Sequence, residues 1–175
     1  MVPCTNLGIM WDLLTRHFAR FPAQSRVAQA LLAHGFAVRA DGIFAGRVAV
    51  SDMALARAVG VDRRIIGATI ETIRRTPDLA RVYERLLPTC HLKDAAPALG
   101  WGAIEIVPSD ARKPGILADV ARVLAEHGLS IRQAIVDDPD LVEEPRLHVV
   151  TESAVPLDAI AEIRQAVGVK SVVIH

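Results

Sequence analysis

The sequence has few cysteines and no long apolar run, and both absences limit where the protein can work. Its two cysteines, Cys4 and Cys90, form neither a disulfide framework nor a metal-binding pattern. No apolar stretch approaches the roughly 20 residues that span a bilayer. The first residues lack the basic segment and the apolar core of a signal peptide. The sequence therefore predicts a reduced, cytoplasmic protein with no membrane partner.

Signatures of catalysis are also missing from the sequence. It contains no glycine-rich phosphate loop, no serine nucleophile elbow and no cysteine–histidine pair. The six histidines are scattered, and none lies at metal-ligand spacing from another. We therefore expect no enzymatic activity, no cofactor and no bound metal.

The net charge is zero, but the charges are divided unevenly along the chain. Residues 1–100 contain 13 Lys and Arg and 8 Asp and Glu, which leaves a balance of +5. Residues 101–175 contain 7 and 12, which leaves −5. Such an asymmetry indicates two domains with different partners, and the basic half is the candidate for binding nucleic acid.

The acidic half, residues 101–175, alternates between strand-like and helix-like patterns. Four apolar runs predict strands (WGAIEIV, LSIRQAIV, RLHVVTE and VKSVVI), and two amphipathic runs predict helices (GILADVARVLAEHG and PLDAIAEIRQAVG). The order is βαββαβ. With right-handed crossovers, this order predicts a four-stranded antiparallel sheet with two helices on one face, a ferredoxin-like α+β sandwich.

The loop SDARKPGIL, residues 109–117, joins the first of these strands to the first helix. Gly115 lets the backbone approach another group closely, and Pro114 fixes the direction of the chain before it. The N–H groups at the start of the helix are unpaired and attract negative charge. The loop can therefore receive the carboxylate of a ligand.

A βαββαβ unit whose first helix begins with Pro-Gly and two aliphatic residues resembles the ACT domain, a small-molecule sensing module of amino-acid metabolism. ACT domains commonly pair, so the resemblance implies a homodimer formed through residues 101–175, with an amino acid or similar small effector bound at this loop and the facing second strand. An Asp or Asn often lies two residues before the glycine, whereas here that residue is Lys113 and the nearest upstream acid is Asp110. By position, the resemblance implies ligand contacts from Asp110, Lys113, Pro114, Gly115, Ile116, Leu117, Ile135, Val136 and Asp137.

The basic half reads as a mainly helical domain over residues 10–88, with a small hairpin over residues 36–50, and residues 89–100 read as a linker. The stretch SDMALARAVGVDRRIIGATIETIRR has helix-turn-helix spacing, with Ala56 at the helix crossing, Gly60 in the turn and Ile66 in the core. The exposed face of its second helix carries the candidate DNA-binding residues Arg63, Arg64, Arg74 and Arg75. A plain helix pair in a docking domain, with a solvated arginine face, is the alternative.

Together the two halves resemble prokaryotic, mainly archaeal proteins in which an N-terminal helix-turn-helix-like region precedes a C-terminal ACT domain. These proteins are regulators of amino-acid metabolism. The resemblance implies an amino-acid-binding transcriptional regulator that works as a dimer. The alternative is a ligand-sensing regulatory subunit that docks onto an enzyme without binding DNA.

Overall fold

The computed structural model describes the backbone of residues 9–175 and the side chains of residues 12–175. The chain divides into two compact units, with the boundary between Cys90 and His91.

The first unit is mainly helical and includes a small sheet. Proline occupies the start of two of its helices, where a missing N–H costs nothing. Its elements are α1 (Ile9–Phe18), α2 (Pro22–Ala33), β1 (Ala37–Arg39), β2 (Gly42–Ala45), β3 (Val48–Val50), α3 (Asp52–Val59), α4 (Arg63–Arg75) and α5 (Pro77–Tyr83).

The small sheet has one strand more than the predicted hairpin. Strands β1, β2 and β3 pair antiparallel in sequence order. The chain reverses at Asp41, as the sequence predicts, and reverses again at Gly46 and Arg47. The second turn brings Val48–Val50 back along β2, so the segment forms a three-stranded meander.

Helix α4 lies at the centre of the first unit and packs against α2, α3, α5 and β1. Its inward face is fully or almost fully buried at Ile66, Ile70 and Ile73. The Tyr83 hydroxyl lies in the same core and donates to the Ala28 carbonyl at 2.9 Å. Burial raises the pKa of Tyr83, so this hydroxyl stays a hydrogen-bond donor at neutral pH.

Helices α3 and α4 are joined by a three-residue turn, residues 60–62. Gly60 has φ +70°, which ends α3 in a left-handed cap. Asp62 then begins α4, because its carboxylate accepts the Arg64 N–H at 2.8 Å. Ala56 and Ile66, predicted to lie at the crossing and in the core, are 4% and 0% exposed.

The second unit has the predicted α+β fold. Its elements are β4 (Gly102–Pro108), α6 (Ile116–Glu126), β5 (Ile131–Val136), β6 (Leu147–Thr151), α7 (Leu157–Gln165) and β7 (Val169–Ile174). The strands lie in the order β5-β6-β4-β7, and each neighbouring pair is antiparallel. Both helices pack on one face of the sheet, over a core that includes Ile104, Val120, Val149 and Ile163. This arrangement confirms the ferredoxin-like prediction.

Most of the segment predicted as a linker, 89–100, is packed onto the second unit. Ala96 is fully buried and forms a small cluster with Ala103 and Val150. The Leu92 N–H donates to the Gln133 side-chain carbonyl at 2.9 Å. Residues 91–100 thus cover the sheet face opposite the two helices. Across the described residues, no helix is long and apolar enough to cross a membrane.

Candidate functional site

A pocket opens beside the loop between β4 and α6, the loop that the sequence marks as a ligand site. Its volume is about 130 Å³. It lies among the end of β4, the start of α6, the end of β5 and the start of β6. Its lining residues are Ile106, Pro108, Ala111, Lys113, Gly115, Ile116, Leu117, Val136, Asp137, Pro145, Arg146 and Leu147.

The floor of the pocket is a row of side chains across three strands. Leu147 on β6 pairs with Ile106 on one side and with Val136 on the other. Because residues opposite each other share a face of the sheet, all three point toward the helices. Ile106 and Leu147 are buried, whereas Val136 on the edge strand is 56% exposed. The pocket therefore runs from a closed aliphatic end to an open rim.

The loop is shaped by its own hydrogen bonds. The Asp110 carboxylate accepts the Arg112 N–H at 2.9 Å, and the Asp110 carbonyl accepts the Lys113 N–H at 3.1 Å. Gly115 follows with φ +101° and caps α6. In the described structure no side chain caps this helix, so its first N–H groups remain free for a ligand.

An anionic side chain lies across the pocket from this loop. One Asp137 oxygen, Oδ2, accepts the Arg146 N–H at 3.0 Å and lies 3.1 Å from His148 Nε2. The carboxylate is therefore held in place, while Oδ1 keeps its capacity to accept a further hydrogen bond. Its side chain is 22% exposed, so a ligand can reach it.

Behind the pocket, Arg146 is tied into a buried ionic cluster. Its guanidinium donates to Glu105, which also accepts from the Lys93 ammonium. Burial alone would raise the pKa of Glu105, but the hydrogen bonds from Lys93 and Arg146 outweigh it and lower that pKa to about 2. Glu105 is therefore ionised at every physiological pH, and Arg146 is occupied by it.

Six of the nine predicted ligand residues line the pocket: Lys113, Gly115, Ile116, Leu117, Val136 and Asp137. The other three lie elsewhere. Asp110 organises the loop from outside the lining, and Pro114 is also absent from it. Ile135 pairs with His148 on the opposite face of the sheet, because neighbouring residues of a strand point to opposite sides.

Six lining residues are not predicted from the sequence. They are Ile106 and Pro108 on β4, Ala111 in the loop, Pro145 and Arg146 just before β6, and Leu147 at its start. The ferredoxin-like strand order could have predicted the contributions from the strand ends. It places the start of β6 between the ends of β5 and β4, so their residues meet at one edge of the pocket.

The second candidate surface is the outward face of α4 in the first unit. Arg63, Arg64, Gly67 and Ala68 are exposed there. A side chain added at Gly67 would meet no atom within 4 Å, so this part of the helix can be approached closely. Among the described residues, no side chain or backbone group forms a hydrogen bond or ion pair with the guanidinium of Arg63 or Arg64.

The other two candidate arginines already have partners. The Arg74 guanidinium donates to the Arg39 backbone carbonyl, with Nε at 2.9 Å. Arg75 pairs with Glu71 one turn earlier on the same helix. The structure thus separates a free pair at the start of α4 from an engaged pair at its end.

Within the part of the chain that the structure describes, no group of three or more His, Cys, Asp or Glu side chains could hold a metal ion.

Comparison with known proteins gives one family match, which lies in the second unit. Residues 113–168 match the ACT domain family. A homoserine dehydrogenase from Thiobacillus denitrificans is 23% identical, with 69% of this chain and 26% of that chain covered and a TM-score of 0.34. An AsnC family transcriptional regulator from Agrobacterium tumefaciens is 12% identical, with 87% and 86% covered and a TM-score of 0.27.

The chain thus spans about a quarter of the length of the homoserine dehydrogenase. No curated protein matches it. The family match covers the end of the loop from Lys113, α6, β5, β6 and α7, and β4 and β7 complete the βαββαβ topology around them. The second unit therefore has a complete βαββαβ fold in which residues 113–168 match the ACT domain family.

Proposed function

We propose that the protein is a non-catalytic, amino-acid-responsive transcriptional regulator. Its ACT domain binds a free amino acid in the pocket beside the β4–α6 loop, and its first unit binds DNA through α4. The observation that carries the proposal is the pocket itself. Among the described residues, a cation without a partner, an accessible carboxylate and an uncapped helix start surround an aliphatic floor, at the loop where the ACT family match begins.

The two charged ends of an amino acid have complementary groups in this pocket. The ligand carboxylate is placed at the first N–H groups of α6 and near the Lys113 ammonium, because both attract negative charge. The ligand ammonium is placed at Asp137, whose Oδ1 can accept a hydrogen bond. The ligand side chain then lies over the floor that Ile106 and Leu147 form.

A homodimer is supported by the rim of the pocket. Strand β5 is an edge strand of the sheet, and edge strands are templates for pairing with another chain. Val136 and Leu117 on this rim are 56% and 41% exposed. A second copy placed against β5 would cover both and close the open side of the pocket. Sedimentation or light scattering with and without ligand tests this arrangement.

DNA binding is supported by the outward face of α4. Arg63 and Arg64 lie at the start of the helix, where recognition helices meet base edges, and the exposed Gly67 and Ala68 allow close approach to a groove. Arg74 and Arg75 each use part of their guanidinium donors on a partner within the first unit. We therefore assign the larger share of DNA affinity to Arg63 and Arg64.

The double variant Arg63→Ala/Arg64→Ala tests this assignment. It removes two cations, so the slope of log affinity against log salt should fall by about 2, and specific binding should weaken at least tenfold. Fluorescence anisotropy on DNA fragments selected by the wild-type protein measures both quantities. Arg81→Ala/Arg85→Ala, on and just after α5, is the matched control and should leave them unchanged. An unchanged salt slope in the α4 variant would show that α4 does not contact DNA.

Regulation requires that the ligand favour one arrangement of the dimer over another. The amino acid should therefore change DNA affinity by the same factor by which DNA changes amino-acid affinity. Measuring anisotropy with and without the amino acid tests this coupling.

The engaged arginines and Glu71 on the α4 face favour a second candidate function. In it, the first unit docks onto an enzyme and the ACT domain reports the amino acid to that enzyme. This candidate predicts amino-acid binding with no salt-dependent DNA affinity and a stoichiometric protein complex.

A further inference from the structure

We propose that the pocket selects amino acids with small aliphatic side chains, of the size of valine, leucine or isoleucine. This inference rests on the proposed function, because it specifies which amino acid the same pocket takes. It is carried by the chemistry of the lining and by the number of charged side chains in it.

The part of the pocket that receives a side chain is aliphatic throughout. Ile106, Leu147 and Ile116 form its closed end, and they are 0%, 4% and 8% exposed. Among the described residues, no lining side chain carries an aromatic ring, a hydroxyl or an amide. A hydroxyl or amide on the ligand would lose its hydrogen bonds to water without replacement, which lowers affinity by about tenfold or more.

The charged side chains of the pocket match the carboxylate and the ammonium that every amino acid carries. Three lining side chains are ionisable: Lys113, Asp137 and Arg146. Arg146 is held by Glu105 and by Glu144. Lys113 has no partner within residues 9–175 that the structure describes, and Asp137 has one oxygen to spare. One cation and one anion pair with the ligand carboxylate and ammonium, so an acidic ligand side chain would have to compete with Glu105 and Glu144 for Arg146.

The pocket is small at its closed end and open at its rim. Its volume is about 130 Å³. A compact aliphatic side chain can therefore contact the closed end while the charged groups of the amino acid stay at the loop.

Isothermal titration of the full chain with single amino acids tests the inference. The panel contains L-valine, L-leucine and L-isoleucine, set against L-serine, L-aspartate, L-lysine and L-phenylalanine. We expect at least one aliphatic amino acid to bind about tenfold or more tightly than each of the others. Tighter binding of a polar, charged or aromatic amino acid would overturn the inference and leave the proposed function standing. Absence of binding by every amino acid would overturn both.

A matched pair of variants tests whether the pocket floor contacts the ligand side chain. Val136→Thr places a hydroxyl at the rim of the pocket floor at almost constant volume. A bound valine side chain would cover this hydroxyl and remove its water, so binding should weaken by about threefold. Val173→Thr makes the same change on the other edge strand, outside the lining, and should leave binding unchanged. Equal effects of the two substitutions would overturn the assignment of the floor.

Two analogues of valine separate the roles of the charges. Valinamide lacks the carboxylate and 3-methylbutanoate lacks the ammonium, so each should bind at least tenfold more weakly than valine. Asp137→Asn should reduce the preference for valine over 3-methylbutanoate, while the neighbouring control Asp138→Asn should preserve it. An undiminished preference in the Asp137 variant would remove that carboxylate from the site.

Discussion

The buried carboxylate of Glu105 gives the sharpest electrostatic prediction for the second unit. Its side chain is 3% exposed, and it accepts hydrogen bonds from Lys93 and Arg146. His175 Nε2 lies 3.0 Å from the same carboxylate. Burial opposes the charge, but these partners overcome it and hold the pKa at about 2, against an ordinary value of 4.5. The ionised form therefore stabilises the folded state.

The size of this stabilisation follows from the difference between the two pKa values. A shift from 4.5 to about 2 corresponds to about 3 kcal/mol at neutral pH, since one pKa unit is about 1.4 kcal/mol. Because the folded pKa is the lower one, this stability is present above about pH 4.5 and is lost as the pH falls through about 2. Glu105→Gln keeps the shape and removes the charge, so at pH 7 it should cost about 2 to 3 kcal/mol.

Urea unfolding of the full chain at pH 7 and at pH 2.5 measures this loss. The chain has two tryptophans, so in a Trp11→Phe background the fluorescence of Trp101 reports on the second unit alone. The cost of Glu105→Gln should shrink to less than about 1 kcal/mol at pH 2.5. Glu126→Gln is the control, because its exposed pair with Arg122 contributes at most about 0.5 kcal/mol. A loss below about 1 kcal/mol at pH 7, or an equal loss at both pH values, would refute the reasoning.

Two further substitutions test the first unit and the loop. Tyr83→Phe removes the buried hydrogen bond to the Ala28 carbonyl and should lower the free energy of unfolding by about 1 kcal/mol in urea followed by circular dichroism; a neutral effect would contradict that hydrogen bond. Gly115→Val should cost about 1 to 2 kcal/mol, because φ is +101° while space for a side chain is open, and it should abolish amino-acid binding by displacing the N–H groups of α6. Unchanged ligand affinity would remove the loop from the site.

The fold of the second unit was predictable from the sequence because its patterns are regular. Apolar alternation and helical spacing follow one another with clear turns, and the βαββαβ order allows few right-handed arrangements. The first unit was harder to predict. Strand β3 has three residues, too few for a periodic signal, so the meander was predicted as a hairpin. Residues 91–100 have no periodic apolar pattern, so the sequence does not predict that Ala96 packs against the sheet.

In the candidate sites, residues that are adjacent in the chain were predictable, whereas residues that meet only in the fold were not. Loop residues such as Lys113 and Gly115 are adjacent in the chain, so a single motif reveals them. Ile106 and Leu147 meet only through strand pairing, which local patterns do not specify. The Arg39 carbonyl that engages Arg74 lies 35 residues away, and no helical spacing predicts such a contact.

We propose above all that the pocket beside the β4–α6 loop binds a free amino acid. Thermal unfolding of the full chain against the common amino acids, each at high millimolar concentration, tests it most directly. A ligand at about 100 times its Kd stabilises the folded state by about 2.7 kcal/mol, which raises the Tm by several degrees. We predict such a shift for valine, leucine or isoleucine. A folded protein whose Tm is unmoved by every amino acid would contradict the account.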